Sequence, residues 1–448
     1  MDSEVKKYKV NIEASGGAKI LNQLFDNGEY QEIDIFSRKS EESPELLCGY
    51  GNVNGCNVYA FVQNISSNYA AVGRSQAEKI SKIYSFAMKT GNPIIGVYDS
   101  DGAYLEEGNQ IMKVYSDILC SCNKLSGVVP QISVIVGNCY GINAQIASCA
   151  DIVIVTKDSH FGLDIGGKSS SSDEALKYGN AHIECGDKKE AINSARELIR
   201  RFPQNNLCEV KQLEYNRPKI NEDFDITNIE EIIINVVDDG SFIELNKEYG
   251  KHFRIGMATI YGISFGLIIS DVNNSDIIDE ESCDKVCKFI KVCDSYSIPL
   301  VTFINASGAE KLKSIKSLFG AYADSTTVKV TIISGKACGI IYTTFCGSAS
   351  ADMVLSWPDA VISPLPPGTA IEVLYHDKLK NDDISNRKSR KELLDEYLLE
   401  EASSFNAAKN GIVDDIVLLK ETRNKIFTSI NMLLSKRENY PNKKHSNI

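Results

Sequence analysis

What most constrains this chain is that it repeats itself at long range. The segment Gly137-Asn138-Cys139-Tyr140-Gly141 follows the apolar run Gln131 to Val136 and precedes small and apolar residues, Ile142 to Ala150. A second, Gly335-Lys336-Ala337-Cys338-Gly339, follows the β-branched run Val328 to Ser334. The match spreads outward: Leu24 to Gly28 answers to Val236 to Gly240, Ala77 to Ile80 to Cys283 to Val286, Asp99 to Ala103 to Asn305 to Ala309, and Ala150 to Val153 to Ala351 to Val354. Order is kept and the offset stays near roughly 200 residues, far above a solenoid period, so two duplicated domains are expected. Pro203 to Asp225 has little periodicity and two prolines and is read as the linker, giving domains at 1–225 and 226–448.

Within each copy, strands alternate with helices. From Ala77, the positions Ile80, Ile83, Tyr84, Ala87 and Met88 recur at helical spacing and Gly91 stops the helix; Ile94 to Tyr98 and Ile132 to Val136 read as buried strands. Glu107 to Leu125 and Lys188 to Phe202 are expected helices, and Gly166 to Asp173 a polar loop. The second half repeats this scheme, then closes with helices over Glu392 to Ala408 and Thr422 to Leu434 and a polar tail, Lys436 to Ile448. Alternation of this kind implies crossover units, an α/β protein with helices packed over sheets.

A glycine turn between strand and helix leaves backbone amides unpaired, an arrangement that suits negative charge developing on a carbonyl oxygen. Other motifs fail on context. Gly162 to Ser169 has phosphate-loop spacing, but Thr156 to Phe161 intervenes after the strand and serines follow where a helix should open. Gly262-Ile263-Ser264-Phe265-Gly266 has nucleophile-elbow spacing but is flanked by strand-forming residues on both sides. The five histidines show no metal-binding spacing, so no metal is expected. Asp99 and Asp101 read either as an acid/base pair or as carboxylates closing a turn. A net charge of -12 argues against a nucleic-acid partner. The charged Met1 to Val10 lacks the apolar core of a secretion signal and the 13 cysteines are scattered, so buried thiols in the cytoplasm are expected.

Across nearly its whole length the chain resembles the carboxyltransferase component of biotin-dependent acyl-CoA carboxylases and decarboxylases. Asp99 to Ala103 resembles D-S-G-G-A-R, Val129 to Gly141 resembles V-I-P-Q-I-S-V-I-x-G-P-C-A-G-G, and Lys336-Ala337-Cys338-Gly339 resembles K-A-Y-G-G-A. Trp357-Pro358, Ala407 to Asp414 and Thr422-Arg423 fit the closing segment. The resemblance implies two tandem crotonase-like ββα-superhelix domains. It also implies carboxyl transfer between an acyl-CoA and biotin borne by a separate biotin carboxyl carrier protein, with no cofactor covalently bound to this chain. Biotin carboxylase or membrane decarboxylase subunits are the implied partners, and a homo-hexamer built as a trimer of dimers the implied assembly, its active site lying between the first domain of one subunit and the second of another.

By motif, Gly141 and Ile142 would donate to the thioester oxygen and Ile340 and Ile341 to the biotin ureido oxygen. Ser100, Asp101, Gly102, Ala103, Tyr140, Gly339 and Thr343 would line the substrate. The chain departs from the pattern where these motifs meet ligand: Ile142 and Ile340 replace glycines, Asp101 replaces a glycine, Tyr104 an arginine, and Asn143 and Ile341 alanines. Two other readings follow from those departures, a non-catalytic paralogue with an assembly role and a biotin-independent crotonase-like acyl-CoA enzyme.

Overall fold

A computed structural model describes residues 13, 15–37, 44–64, 68–164, 170–219, 221, 224–272, 275–379 and 389–438. The chain divides into two compact units, Met1–Lys211 with Asn246–Tyr249, and Gln212–Leu245 with Gly250–Ile448. The division at Lys211 falls inside the proline-containing stretch from Pro203 to Asp225.

Among its described residues the first unit holds α1 (Gly16–Leu24), β1 (Tyr30–Glu32), β2 (Leu46–Val53), β3 (Cys56–Gln63), β4 (Ile94–Ser100), β5 (Gln131–Tyr140), β6 (Ile152–Thr156), β7 (His160–Gly162) and β8 (Ile183–Cys185). Their sheet order is β1-β2-β3-β4-β5-β6-β8, with β7 beside β5. The hairpin β2-β3 is antiparallel, and from β3 onward the ladder is parallel. The crossovers include α2 (Arg74–Thr90), α3 (Gln110–Leu125), α4 (Gly141–Ala147) and α5 (Ser172–Lys177), and α6 (Lys188–Arg201) follows the last strand.

β4 is buried at every position, the pattern of a strand covered on both faces. Ala77, Ile80, Ile83, Tyr84 and Ala87 form the buried stripe of α2, and Gly91 closes it in a left-handed conformation. Met88, expected on that stripe, is 51% exposed, because it lies beyond the edge of the stripe. Such burial stabilises by roughly 25 cal/mol per Å² of apolar surface.

The second unit repeats the plan: α7 (Ile229–Val236), β9 (Ile243–Leu245), β10 (Phe253–Ile260), β11 (Ile263–Ser270), β12 (Ile277–Ile278), α8 (Glu280–Ser295), β13 (Leu300–Ala306), β14 (Gly308–Ala309), α9 (Leu312–Asp324), β15 (Lys329–Cys338), α10 (Ile340–Phe345), β16 (Met353–Ser356) and β17 (Val361–Ser363). The remainder is α11 (Pro367–Leu374), α12 (His376–Leu379), α13 (Arg390–Glu400), α14 (Ser404–Lys409), β18 (Asp415–Ile416) and α15 (Leu419–Leu433). The order β18-β16-β15-β13-β11-β10-β9, with β17 beside β15, is that of the first unit read from its other edge. β10 and β11 meet in a hairpin at Tyr261-Gly262, so Ser264 lies within the β11 ladder, paired with Thr259, and not on a strand-to-helix elbow.

Three expectations change. The strand expected over Ile132 to Val136 runs on through Gly137 to Tyr140, because β7 replaces β6 as the partner of Asn138 to Tyr140. Of the polar loop expected over Gly166 to Asp173, 166–169 lie outside the described residues, as does most of the phosphate-loop motif; Ser171 caps α5 by accepting the Glu174 N–H. The helix expected over Glu392 to Ala408 is two helices, since Ser403 caps α14 and bridges to Val361. Of the polar tail expected from Lys436, 439–448 lie outside the described residues.

Candidate active site

The first glycine turn is shaped by a fault in the sheet. The register of β4 on β5 shifts between Tyr98 and Ser100, leaving Asp99 bulged between them. The buried Asp99 carboxylate turns onto Gly137, where an added Cβ would lie 1.9 Å from Oδ1. Only glycine allows that approach. Asp99 accepts the Asn138 N–H at 3.2 Å and pairs with Lys188 Nζ at 3.3 Å, while Asn138 Nδ2 donates to Asp101 Oδ1 at 2.6 Å. Asp99 is thus a brace for the turn, in line with the turn-closing reading of the Asp99 and Asp101 pair.

Above this brace, β5 passes into α4. Gly141 opens the helix at φ +56°, so the N–H groups of Gly141 and Ile142 have no acceptor within it. Tyr140 is buried, its ring 5.9 Å from His160 and its hydroxyl 3.4 Å from Asn138 Oδ1. The half-buried Ile142 packs against the core of its unit.

Ser100 is fully buried; its hydroxyl donates to Ala70 O at 2.7 Å and accepts the Gly102 N–H at 3.1 Å. Ala103 bridges to Val72, and the Tyr104 hydroxyl meets Glu106 at the surface. Asp101 to Ala103 therefore follow the end of β4, and Tyr140 to Ile142 the end of β5, two adjacent parallel strands whose carboxyl ends meet at the pair Ser100 and Cys139. Strand ends of this kind are where open α/β sheets place ligands.

The second turn follows the same plan in the other unit. β13 shifts register on β15 between Ile304 and Ala306; an added Cβ on Gly335 would lie 2.3 Å from Asn305 Cγ, and Asn305 Oδ1 accepts the Lys336 N–H at 2.9 Å. Gly339, at φ +49°, donates its N–H to Ser363 O and turns the chain into α10. Ile340 and Ile341 hold the opening amides of that helix. The Ile340 side chain is 45% exposed, Ile341 is buried, and Thr343, exposed, donates its hydroxyl to Ile340 O.

The predicted residues thus fall into two clusters, Ser100 to Ala103 with Tyr140 to Ile142 in the first unit and Gly339 to Ile341 with Thr343 in the second. Sequence reasoning gave no side-chain role to Asn138, inside the first glycine turn, or to Lys188, at the start of an expected helix, and did not single out Gln63, whose Oε1 accepts the Asp99 N–H at 3.3 Å; their partners lie far away in the chain. Buried thiols near the turns are unreactive: burial pushes the Cys139 and Cys338 thiols up. Among the described residues no cluster of His, Cys, Asp and Glu is suited to a metal, and no described helix is long and apolar enough to cross a membrane.

The class follows from the architecture. Both units are crotonase-like, and the chain superposes on transcarboxylase 12S, solved as a hexamer assembly with hydrolysed methylmalonyl-coenzyme A bound, at a TM-score of 0.88 and 26% identity over 99% of this chain and 94% of that one. The carboxyl transferase domain model matches residues 19–448. This chain therefore belongs to the carboxyl transferase family of enzymes. It is 31% identical to the methylmalonyl-CoA decarboxylase subunit alpha of Propionigenium modestum, over 99% of this chain and 98% of that protein. It is 30% identical to the propionyl-CoA carboxylase carboxyltransferase subunit of Haloferax mediterranei, over 96% and 92%.

Proposed function

We propose that this protein transfers a carboxyl group between biotin on a separate carrier protein and a short acyl-CoA of the propionyl or methylmalonyl type. The observation that carries the proposal is the pair of braced glycine turns, one per unit, each ending at a helix start with free amides. The names of the relatives supply the substrate class. In this reading the amides of Gly141 and Ile142 hold the thioester oxygen as it gains negative charge, and each such donor is worth about 2.7 to 4 kcal/mol in the transition state. The amides of Ile340 and Ile341 hold the ureido oxygen in the same way. Neutral N–H donors at a helix start would suit that group, which is a neutral carbonyl in carboxybiotin and gains negative charge as the carboxyl group leaves, until it takes up the substrate α-proton.

Biotin supplies the carboxyl group and, once free, the base for the substrate α-proton, so no side chain of this protein needs to act as the base. Ala103 and Tyr140 border the acyl group and Thr343 borders the biotin-side donors. The protein acts as a homo-hexamer, with a biotin carboxyl carrier protein and either a biotin carboxylase or membrane decarboxylase subunits as partners.

The test supplies purified protein with a carboxylated biotin carrier domain and isotope-labelled carboxyl groups, against acetyl-, propionyl-, malonyl-, methylmalonyl- and glutaconyl-CoA. Label is expected to move between the carrier and a propionyl- or methylmalonyl-type thioester. No transfer to or from any of them, from protein shown to be folded and hexameric, overturns the reading in favour of a non-catalytic assembly subunit.

A further inference from the structure

The first turn carries a connection that the second lacks. Gln63, the last residue of β3, is 2% exposed, and Asn143, in the first turn of α4, is 3% exposed. Their side-chain amides pair reciprocally: Gln63 Nε2 donates to Asn143 Oδ1 at 3.4 Å and Asn143 Nδ2 donates to Gln63 Oε1 at 3.3 Å. Gln63 Oε1 also accepts the N–H of Asp99, the bulged residue that braces Gly137, at 3.3 Å.

In the second unit the same step of the hairpin ends in Ser270, whose hydroxyl accepts the Asn305 N–H at 2.8 Å but donates back to Phe303 O at 2.9 Å. The position matching Asn143 is the buried, apolar Ile341. Among the described residues of this unit, side-chain contacts run from Ser270 to the Asn305 bulge and from Asn305 to the Lys336 N–H, with no side-chain pair joining Ser270 to α10.

We propose that Gln63 and Asn143 are a positioning pair, which ties the helix carrying the Gly141 and Ile142 amides to the Asp99 bulge and so fixes where those amides point. The proposal rests on the reading of these amides as thioester donors. A buried amide left without its partner forfeits its hydrogen bonds, so the pair holds only one arrangement of α4 well. Oxyanion donors work only when aimed at the developing charge, and a small displacement is amplified in rate.

Asn143→Ala, Gln63→Ala and the double variant test the pair in the carrier assay and by hydrogen exchange on the intact protein. Each single variant is expected to lower kcat by about tenfold or more with KM within about twofold, since the donors matter most in the transition state. The double variant should lose no more than the worse single one, because both break one connection. Exchange in the peptide covering 137–147 should quicken in all three while the β2-β3 hairpin remains protected.

Unchanged kcat in folded Asn143→Ala, losses that multiply in the double variant, or exchange that rises evenly through the unit would overturn the pairing. Should Asn143→Ala not fold, Gln63→Leu, close in size and without the amide, serves in the same assays. An inactive wild-type protein counts against the carboxyl-transfer reading alone, and the exchange comparison still decides whether the pair holds the turn.

Discussion

In the first unit, Asp26 accepts the N–H groups of Asn54 and Gly55 at the β2-β3 turn, each at 3.0 Å, and pairs with Arg196 of α6 at 2.7 Å, while Arg196 also bonds Leu24 O. In the second, Asp238 accepts those of Tyr261 and Gly262 at 2.9 and 2.8 Å and pairs with Arg423 of α15, which also bonds Val236 O. The clamp is the same, a carboxylate fixing a hairpin turn and an arginine fixing a late helix to both. Its surroundings are not. The first pair is 29% and 20% exposed, the second 1% and 5%, with the Tyr261 ring 4.5 Å from the guanidinium. Duplicated hydrogen bonds therefore carry unequal energies, because removing one partner of a buried pair strands the other charge away from water.

The sharpest way to break this comparison is to remove each arginine. Arg423→Ala is expected to cost about 3–5 kcal/mol and Arg196→Ala about 1 kcal/mol, compared by urea unfolding of the two variants. Equal losses would mean that burial does not distinguish the clamps.

Next come the glycines under the two braces. Gly137→Ala and Gly335→Ala should each cost about 1–3 kcal/mol, with Gly137 the larger because the new methyl meets a carboxylate at 1.9 Å against an amide carbon at 2.3 Å. Carboxyl transfer measured on both variants should fall with them, and an active Gly137→Ala enzyme would separate the brace from the chemistry.

A smaller effect sharpens the likeness of the turns. Asp99→Asn gives the first brace the side chain that Asn305 supplies in the second. It keeps the acceptor for the Asn138 N–H and loses only the ion pair with Lys188, whose side chain is 55% exposed. Thermal unfolding should register about 1 kcal/mol or less, and a loss several times larger would show that the charge itself is required.

The smallest expected effect concerns the residue before each hairpin. Glu45 and His252 hold matching places, their carbonyls accepting the N–H groups of Asn64 and Asp271. Burial holds the His252 imidazole below its usual value, against the nearby Asp279, Asp271 and Asp276. Its folded form binds a proton less readily than its unfolded form. Its contribution is therefore complete above the unfolded value, near 6.5, and is lost as pH falls through that value toward the folded one. Between pH 7.5 and 5.5, wild type should lose slightly more stability than His252→Gln, read from the melting temperatures at each pH. Parallel curves would remove His252 from the account.

Much of this is legible in the sequence alone. Two carboxylates repeated between the matching segments make the same structural bonds twice: Asp26 and Asp238 at the hairpins, and Asp151 and Asp352, which accept the N–H groups of Gln131 and Lys329 at the starts of β5 and β15. The helical stripe of α2 and the glycine that ends it were equally plain, since spacing and backbone freedom are local properties. Met88 was misplaced because the edge of a stripe depends on what packs beside it.

By itself, the sequence determined the duplication, the strand-and-helix alternation and the two glycine turns with their opening amides, because each rests on short-range periodicity or on steric limits of single residues. Only the tertiary structure decided that β5 continues to Tyr140, that Asp99 folds under Gly137, and that Gln63 reaches Asn143 across 80 residues of chain. Those contacts join residues distant in sequence, and their partners are chosen by the register of parallel strands and by the space a missing side chain leaves, neither of which is written in any local pattern.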